Sequence, residues 1–338
     1  MAGIVYKEAG SIAELIRANN HIVVVQADNP DVDSLASSLA LEAILSESGK
    51  TVTLYCGIDL PSYLSYLNGW DRVVSNLPKQ FDIAIIVDTS SDSLLAQLQR
   101  TGEKAWLAAK PVIIIDHHGT KPTINFAQVT CNPTAAATGE VLYELARQLK
   151  WPLNQSAKEM VAMAILSDSL GLMSESTSAR TIQIIAELVA GGISLPKLDN
   201  ARRQTLRRDP ELIHYKGQLL QRVEFHDQNR IAVLSIPWEE IERYSPLYNP
   251  PMLVLDDMRL GLGTDLAIVF KHYKDGKLTA KIRANFGKPI ADKLAESFGG
   301  GGHPLAAGFK LEGKVDAEQI KADVIKSAGQ LLDGLRAG

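Results

Sequence analysis

His21-Ile22-Val23-Val24-Val25-Gln26-Ala27-Asp28-Asn29-Pro30-Asp31-Val32-Asp33-Ser34 is an apolar, β-branched run that breaks at a proline and continues into two carboxylates. β-Branched residues favour strands, and proline does not continue a central strand. The stretch reads as a strand, a polar turn and the start of a helix, with Asp33 or Ser34 as the N-cap. The same kind of ending recurs twice. Ile83-Ala84-Ile85-Ile86-Val87 ends on Asp88, and Val112-Ile113-Ile114-Ile115 ends on Asp116-His117-His118. In an open parallel sheet the strand C-termini lie along one edge, and ligands bind in the crevice outside it. Three strands ending this way aim carboxylates and imidazoles at one point. Oxygen ligands mixed with imidazole suit a divalent ion such as manganese, and two such ions can drive phosphoryl hydrolysis.

Working outward, strands are expected at 21–26, 51–56, 83–88 and 112–116, with helices at 34–48 and 92–109 between them. The alternation argues for a parallel α/β sheet. Helices then dominate, at 138–149, 156–166 and 178–189, the last ended by Gly191-Gly192. The charged stretch 200–222, with Arg202, Arg203, Arg207 and Arg208 close together, reads as a connecting arm or simply as a solvated helix face. Strands at 230–237, 266–273 and 278–284 follow, the last two joined by the hairpin signal Asp275-Gly276. Helices at 289–297 and 317–335 complete a small α/β domain with a mixed sheet. The expected organisation is a larger Rossmann-like parallel-sheet domain at 1–193, a helical linker at 194–222 and a smaller domain at 223–338.

Composition narrows the class. A chain of 338 residues suggests two domains, and 46% hydrophobic content supplies a core. The net charge of −4 gives no global basic field for long nucleic acid. Cys56 and Cys131 match no zinc spacing, which fits a reduced, cytoplasmic setting. The first residues lack the pattern of a signal peptide, and no apolar run approaches a membrane span. No membrane partner is expected.

Several residues carry the chemistry. Asp31 and Asp33 can each reach a different ion, although a polar turn and a helix cap would explain them as well. Asp88 at a strand tip can bridge two ions or cap a helix. Two histidines following Asp116 at the end of a buried strand are hard to explain by packing, and Asp116 could orient His117 or bind backbone. Asp168 ends an apolar helix, where an anion opposes the helix dipole. The run Phe298-Gly299-Gly300-Gly301-Gly302-His303 allows close backbone approach and aims N–H groups at an anion. His303 can donate to a phosphate, and Arg283 can meet the same anion in a bidentate contact or serve only as a surface residue.

Taken in order, these motifs resemble the DHH phosphoesterase family over nearly the whole chain. The 29–33 turn, Val87-Asp88-Thr89, Asp116-His117-His118 and the Asp168 helix resemble its four catalytic motifs. Residues 298–303 with Ala306-Ala307-Gly308 resemble the glycine-rich signature of the DHH-associated domain. Size and layout are most similar to the short oligoribonuclease (nanoRNase) and phosphoadenosine-phosphate phosphatase type. The resemblance implies that Asp33, Asp88, His117 and Asp168 hold one Mn²⁺. It implies that Asp31 and a bridging Asp88 contribute to a second. His118 and Asp88 are then the catalytic residues, with His118 on the scissile phosphate or leaving group. Arg283, Gly300, Gly301, Gly302 and His303 are implied to hold substrate.

One position departs from the family pattern. Its first motif normally opens with histidine four residues before the first aspartate, and here that position is Ala27. Asp28 or Gln26 is a conceivable substitute, although neighbours on a strand point to different sides. The leading expectation is a manganese-dependent phosphoesterase acting on short RNA or DNA oligonucleotides, linear dinucleotides or phosphoadenosine phosphate. The alternatives are a cyclic-dinucleotide phosphodiesterase, or a nucleotide-binding protein whose catalysis is weakened at Ala27. A homodimer is the assembly considered.

Overall fold

Four consecutive buried residues in each of β1 (His21–Val25), β3 (Ile83–Val87) and β4 (Val112–Ile115) require cover on both faces, which is the signature of a parallel sheet. A computed structural model, describing residues 4–313 and 315–335, shows this sheet. It contains β1, β2 (Thr51–Tyr55), β3, β4 and β5 (Val129–Cys131) in the order 2-1-3-4-5, all parallel. Strand order reverses between β1 and β3, the topological switch point where this architecture places its ligand crevice.

The chain divides into two units, split between Arg207 and Arg208. In the first, α1 (Ala9–Ala18) precedes β1, and α2 (Val32–Glu47) follows the proline turn. The segment expected as one helix at 92–109 is instead a 3₁₀ turn with two short helices, α3 (Ala96–Thr101) and α4 (Lys104–Ala108). Gly102 breaks it by taking a left-handed φ of 77°. The helices α5 (Thr138–Leu149), α6 (Gln155–Asp168), α7 (Ala179–Ala190) and α8 (Leu195–Thr205) complete this unit. One sheet face, with Ile22, Val24, Ile85 and Ile113, packs with residues of α2, α5 and α6; the other, with Val23, Val25 and Ile86, packs with Leu98 and Leu107.

In the second unit, α9 (Pro210–Gln221) buries Leu212, Tyr215 and Leu219 in the core. The stretch read as a connecting arm is thus two helices, α8 grouped with the first unit and α9 with the second. Apolar spacing on α9 supplies the physical reason, since it gives that helix a face to bury. The elements β6 (Glu224–His226), β7 (Ile231–Ile236), α10 (Trp238–Tyr244), α11 (Pro251–Met258), β8 (Leu266–His272) and β9 (Leu278–Ala284) follow in order. Then come α12 (Ala291–Glu296), β10 (Gly301–His303), β11 (Ala306–Leu311) and α13 (Ala317–Gly334). The sheet order is 10-11-9-8-7-6, with a parallel β7–β8 pair and antiparallel pairs elsewhere. No single helix among the described residues is long and apolar enough to cross a membrane.

Candidate active site

Asp33 sits in the first turn of α2 and is fully buried. Its carboxylate accepts N–H bonds from Thr138 at 2.7 Å and Gly139 at 3.2 Å, and the Ser37 hydroxyl at 2.9 Å. Ala137 starts α5 without a side-chain cap, so Asp33 supplies that cap from 105 residues away. Asp31 is the N-cap of α2, accepting the Ser34 N–H at 3.0 Å. The cap is thus Asp31 and not the expected Asp33 or Ser34, because α2 begins at Val32 and Asp33 turns its carboxylate to the start of α5.

Asp88 follows β3 with a left-handed φ of 60°, a conformation aspartate tolerates better than most residues. Its Oδ1 accepts the Thr138 hydroxyl at 2.9 Å. His117 is buried beyond β4, and its Nδ1 lies 3.1 Å from the Ala135 carbonyl. A carbonyl accepts, so Nδ1 donates there and Nε2 is the ring nitrogen turned towards the carboxylates. Three carboxylates surround that Nε2: Asp168 at 3.3 Å, Asp88 at 3.5 Å and Asp33 at 3.7 Å. Asp168 closes the set from the last turn of α6.

Burial pushes the Asp33 and Asp88 carboxyls above their ordinary range, and that of Asp168 up to about 6. Mutual repulsion adds to burial in each case. Converging acids held against their own charge, with an imidazole Nε2 among them, fit a divalent cation. The ligating atoms of Asp33, His117 and Asp168 lie within 4.8 Å of one another, as do those of Asp88, His117 and His118.

Asp116 orients His118 rather than the ring of His117. Its Oδ1 lies 2.6 Å from His118 Nδ1 and accepts the His117 backbone N–H at 2.8 Å. The hydrogen bond from His118 holds the Asp116 carboxyl below the usual range, and Asp116 raises the His118 imidazole. Around Ala27, Asp28 is engaged elsewhere, and the buried Gln26 amide has no hydrogen-bond partner among the described residues. Ala27 is buried, Asp28 Oδ2 accepts the Gln97 N–H at 2.8 Å in the first turn of α3, and Gln26 is buried one step away along the strand.

In the second unit, the face of β9 opposite its core carries Thr279, Lys281 and Arg283. Arg283 is paired with Ala306 of β11, and Lys281 with Gly308. The glycine run is a strand edge: Gly301, Gly302 and His303 pair with Gly308, Ala307 and Ala306. A Cβ on Gly300 would lie 2.2 Å from the Gly308 carbonyl, and one on Gly302 would lie 2.6 Å from that of Ala306. These two glycines are therefore required by strand packing. Gly301 has open space and His303 is exposed. A concavity of about 650 Å³ on this face is lined by Arg283, Gly300, Gly301, Lys271, Lys281 and Lys310, among others. Reading for motifs missed the three lysines. Alternation along β9 was the available signal for Lys281.

Residues 21–167 match the family described as "DHH family, N-terminal domain". These residues of the first unit form a DHH-type domain. As a phosphoesterase of that family the chain is a hydrolase. It is 27% identical to a bifunctional oligoribonuclease and PAP phosphatase NrnA of Thermus thermophilus, over 97% of this chain and 94% of that one. Its fold is similar to that of an exopolyphosphatase-related protein from Bacteroides fragilis, with a TM-score of 0.81, 18% identity, and 98% and 100% of the two chains covered. The exonuclease RecJ, solved bound to manganese, is similar with a TM-score of 0.53, 16% identity, and 97% and 96% coverage. The DHH match encloses Asp31, Asp33, Asp88, His117 and His118 and stops one residue before Asp168.

Proposed function

We propose that this chain is a manganese-dependent phosphoesterase that cleaves short oligonucleotides, such as linear dinucleotides and nanoRNA, and phosphoadenosine phosphate. The convergence of Asp33, Asp88 and Asp168 on His117 Nε2 at 3.3–3.7 Å carries the reading. A cation held there supplies Lewis-acid polarisation of a phosphoryl oxygen and lowers the pKa of a bound water. Asp33, Asp88, His117 and Asp168 would form one site, and Asp31 with Asp88 a second that lacks a donor at Ala27. Thr138 fixes Asp33 and Asp88 together through its N–H and its hydroxyl. His118, whose protonated form is favoured by its hydrogen bond to Asp116, donates to the leaving oxygen. Arg283, the Gly300–Gly302 backbone and His303 bind a substrate phosphate. The named relative's activities support this choice of substrates.

The test is Mn²⁺-dependent turnover of a 5′-phosphorylated diadenylate beside a long RNA and phosphoadenosine phosphate. Mononucleotide release from the dinucleotide, with the long RNA spared, is the expected result. Tight binding of all nucleotides without turnover would instead favour a binding protein whose catalysis is lost at Ala27.

A further inference from the structure

A second concavity, of about 520 Å³, lies in the first unit and is lined by Tyr66, Met163, Leu166, Leu170, Leu195 and Leu198. Its volume falls in the range of small-molecule sites, roughly 300–1,000 Å³. Two of its walls are tied to the acid cluster. Leu166 and Leu170 flank Asp168 at the end of α6. Tyr66 lies just beyond a turn in which the Tyr63 hydroxyl donates to the Pro30 carbonyl at 3.4 Å, next to Asp31.

The helix end between them is unusual. Gly171 N–H closes α6 by donating to the Leu166 carbonyl at 2.8 Å, and Leu170 holds the left-handed position, φ 52°, where glycine is the common choice. Leu172 repeats the left-handed conformation at φ 72°. Bulky residues seldom adopt it, and Leu170 is 73% exposed, so its own packing does not repay the strain. This turn sets an apolar side chain at the pocket, which Ser167, next in the chain to Asp168, also lines. At the margin, Asp199 accepts from Arg202 at 2.8 Å, placing an acceptor and a donor beside apolar walls. Apolar walls with one aromatic ring and a polar margin match a flat heteroaromatic group with a polar edge. They do not match a bare phosphate.

We propose that this pocket holds a nucleobase of the substrate, so that the first unit itself selects nucleotide esters. The inference rests on phosphoester hydrolysis at the neighbouring acid cluster.

The test uses the full-length, Mn²⁺-loaded protein with 5′-phosphorylated diadenylate and two analogues, each lacking one base. Loss of one of the bases is expected to raise KM at least tenfold. Leu195→Trp, which fills the pocket from a half-buried position, should bring that ratio towards one, with folding verified by thermal unfolding. Equal KM for all three substrates in the wild type would overturn the pocket. No hydrolysis of any substrate would overturn the proposed function instead. The pocket is then judged without turnover, from the Met163 methyl NMR signal. Adenosine monophosphate should shift it in the wild type and not in Leu195→Trp, and an unshifted signal in the wild type refutes the inference.

Discussion

The acid cluster of the first unit and the glycine-rich face of the second are built on opposite plans. Asp33 is buried and takes three hydrogen bonds, His117 is fixed by Ala135, and His118 by Asp116. On the other face, Gly301 and His303 are exposed, and Lys271, Lys281, Arg283 and Lys310 line an open concavity. A group that must hold a reacting centre is over-determined by its neighbours. A surface that must grip a polyanion needs positive charge and clear backbone, and leaves its side chains adjustable.

Breaking each plan should therefore damage different parameters. Asp88→Ala should lower kcat by about 10³-fold or more while leaving the circular dichroism spectrum unchanged. Retained turnover would refute the cluster as the reaction centre. Arg283→Ala should instead raise KM by about 10- to 100-fold, with kcat little affected. A fall in kcat alone would erase the distinction between the units.

Asp116→Asn sharpens the picture of His118. Asp116 raises the imidazole pKa, so the protonated acid persists to higher pH. Removing that charge should move the basic limb of the kcat profile to lower pH and reduce kcat about tenfold at pH 8. Glycine substitutions probe the other region. Gly300→Ala drives a Cβ onto the Gly308 carbonyl and should cost about 1–3 kcal/mol in denaturant unfolding. Gly301→Ala, facing open space, should stay within about 0.5 kcal/mol.

The smallest expected effect is on the chelated protein. Asp168 titrates near 6 in the fold, above its ordinary value. Between the two values the native state holds a proton that the unfolded chain has released, so stability falls as pH rises through this window. Chelated Asp168→Asn should therefore melt a few degrees above chelated wild type at pH 7, and the gap should close towards pH 4. Excess Mn²⁺ should reverse the order at pH 7.

Most of the convergence was legible because each of these side chains stands at the end of an element with a strong pattern: β-branched runs before Asp88 and Asp116, and an apolar helix before Asp168. What held those side chains was not legible. The Ala135 carbonyl and the Thr138 N–H are backbone groups, and only the fold brings them to residues far away in sequence. The glycine run read as a ligand loop because no side chains betray a strand partner, although Gly300 and Gly302 answer to β11. The 92–109 helix was misread across Gly102, whose left-handed backbone divides it. Ala27 itself offers no donor, and the unpartnered amide of its neighbour Gln26 carried no signal in the sequence.

The capping of α5 by Asp33 bears on how far the fold would depend on a bound cation. The exposed amides at that helix start carry partial positive charge. They already occupy the acid that a cation would otherwise have to neutralise before the chain could pack. A small zinc-finger domain cannot fold until its metal arrives. The α5 cap, by contrast, is made within the chain, so the fold is expected to persist in the chelated protein, which thermal unfolding with and without Mn²⁺ would check.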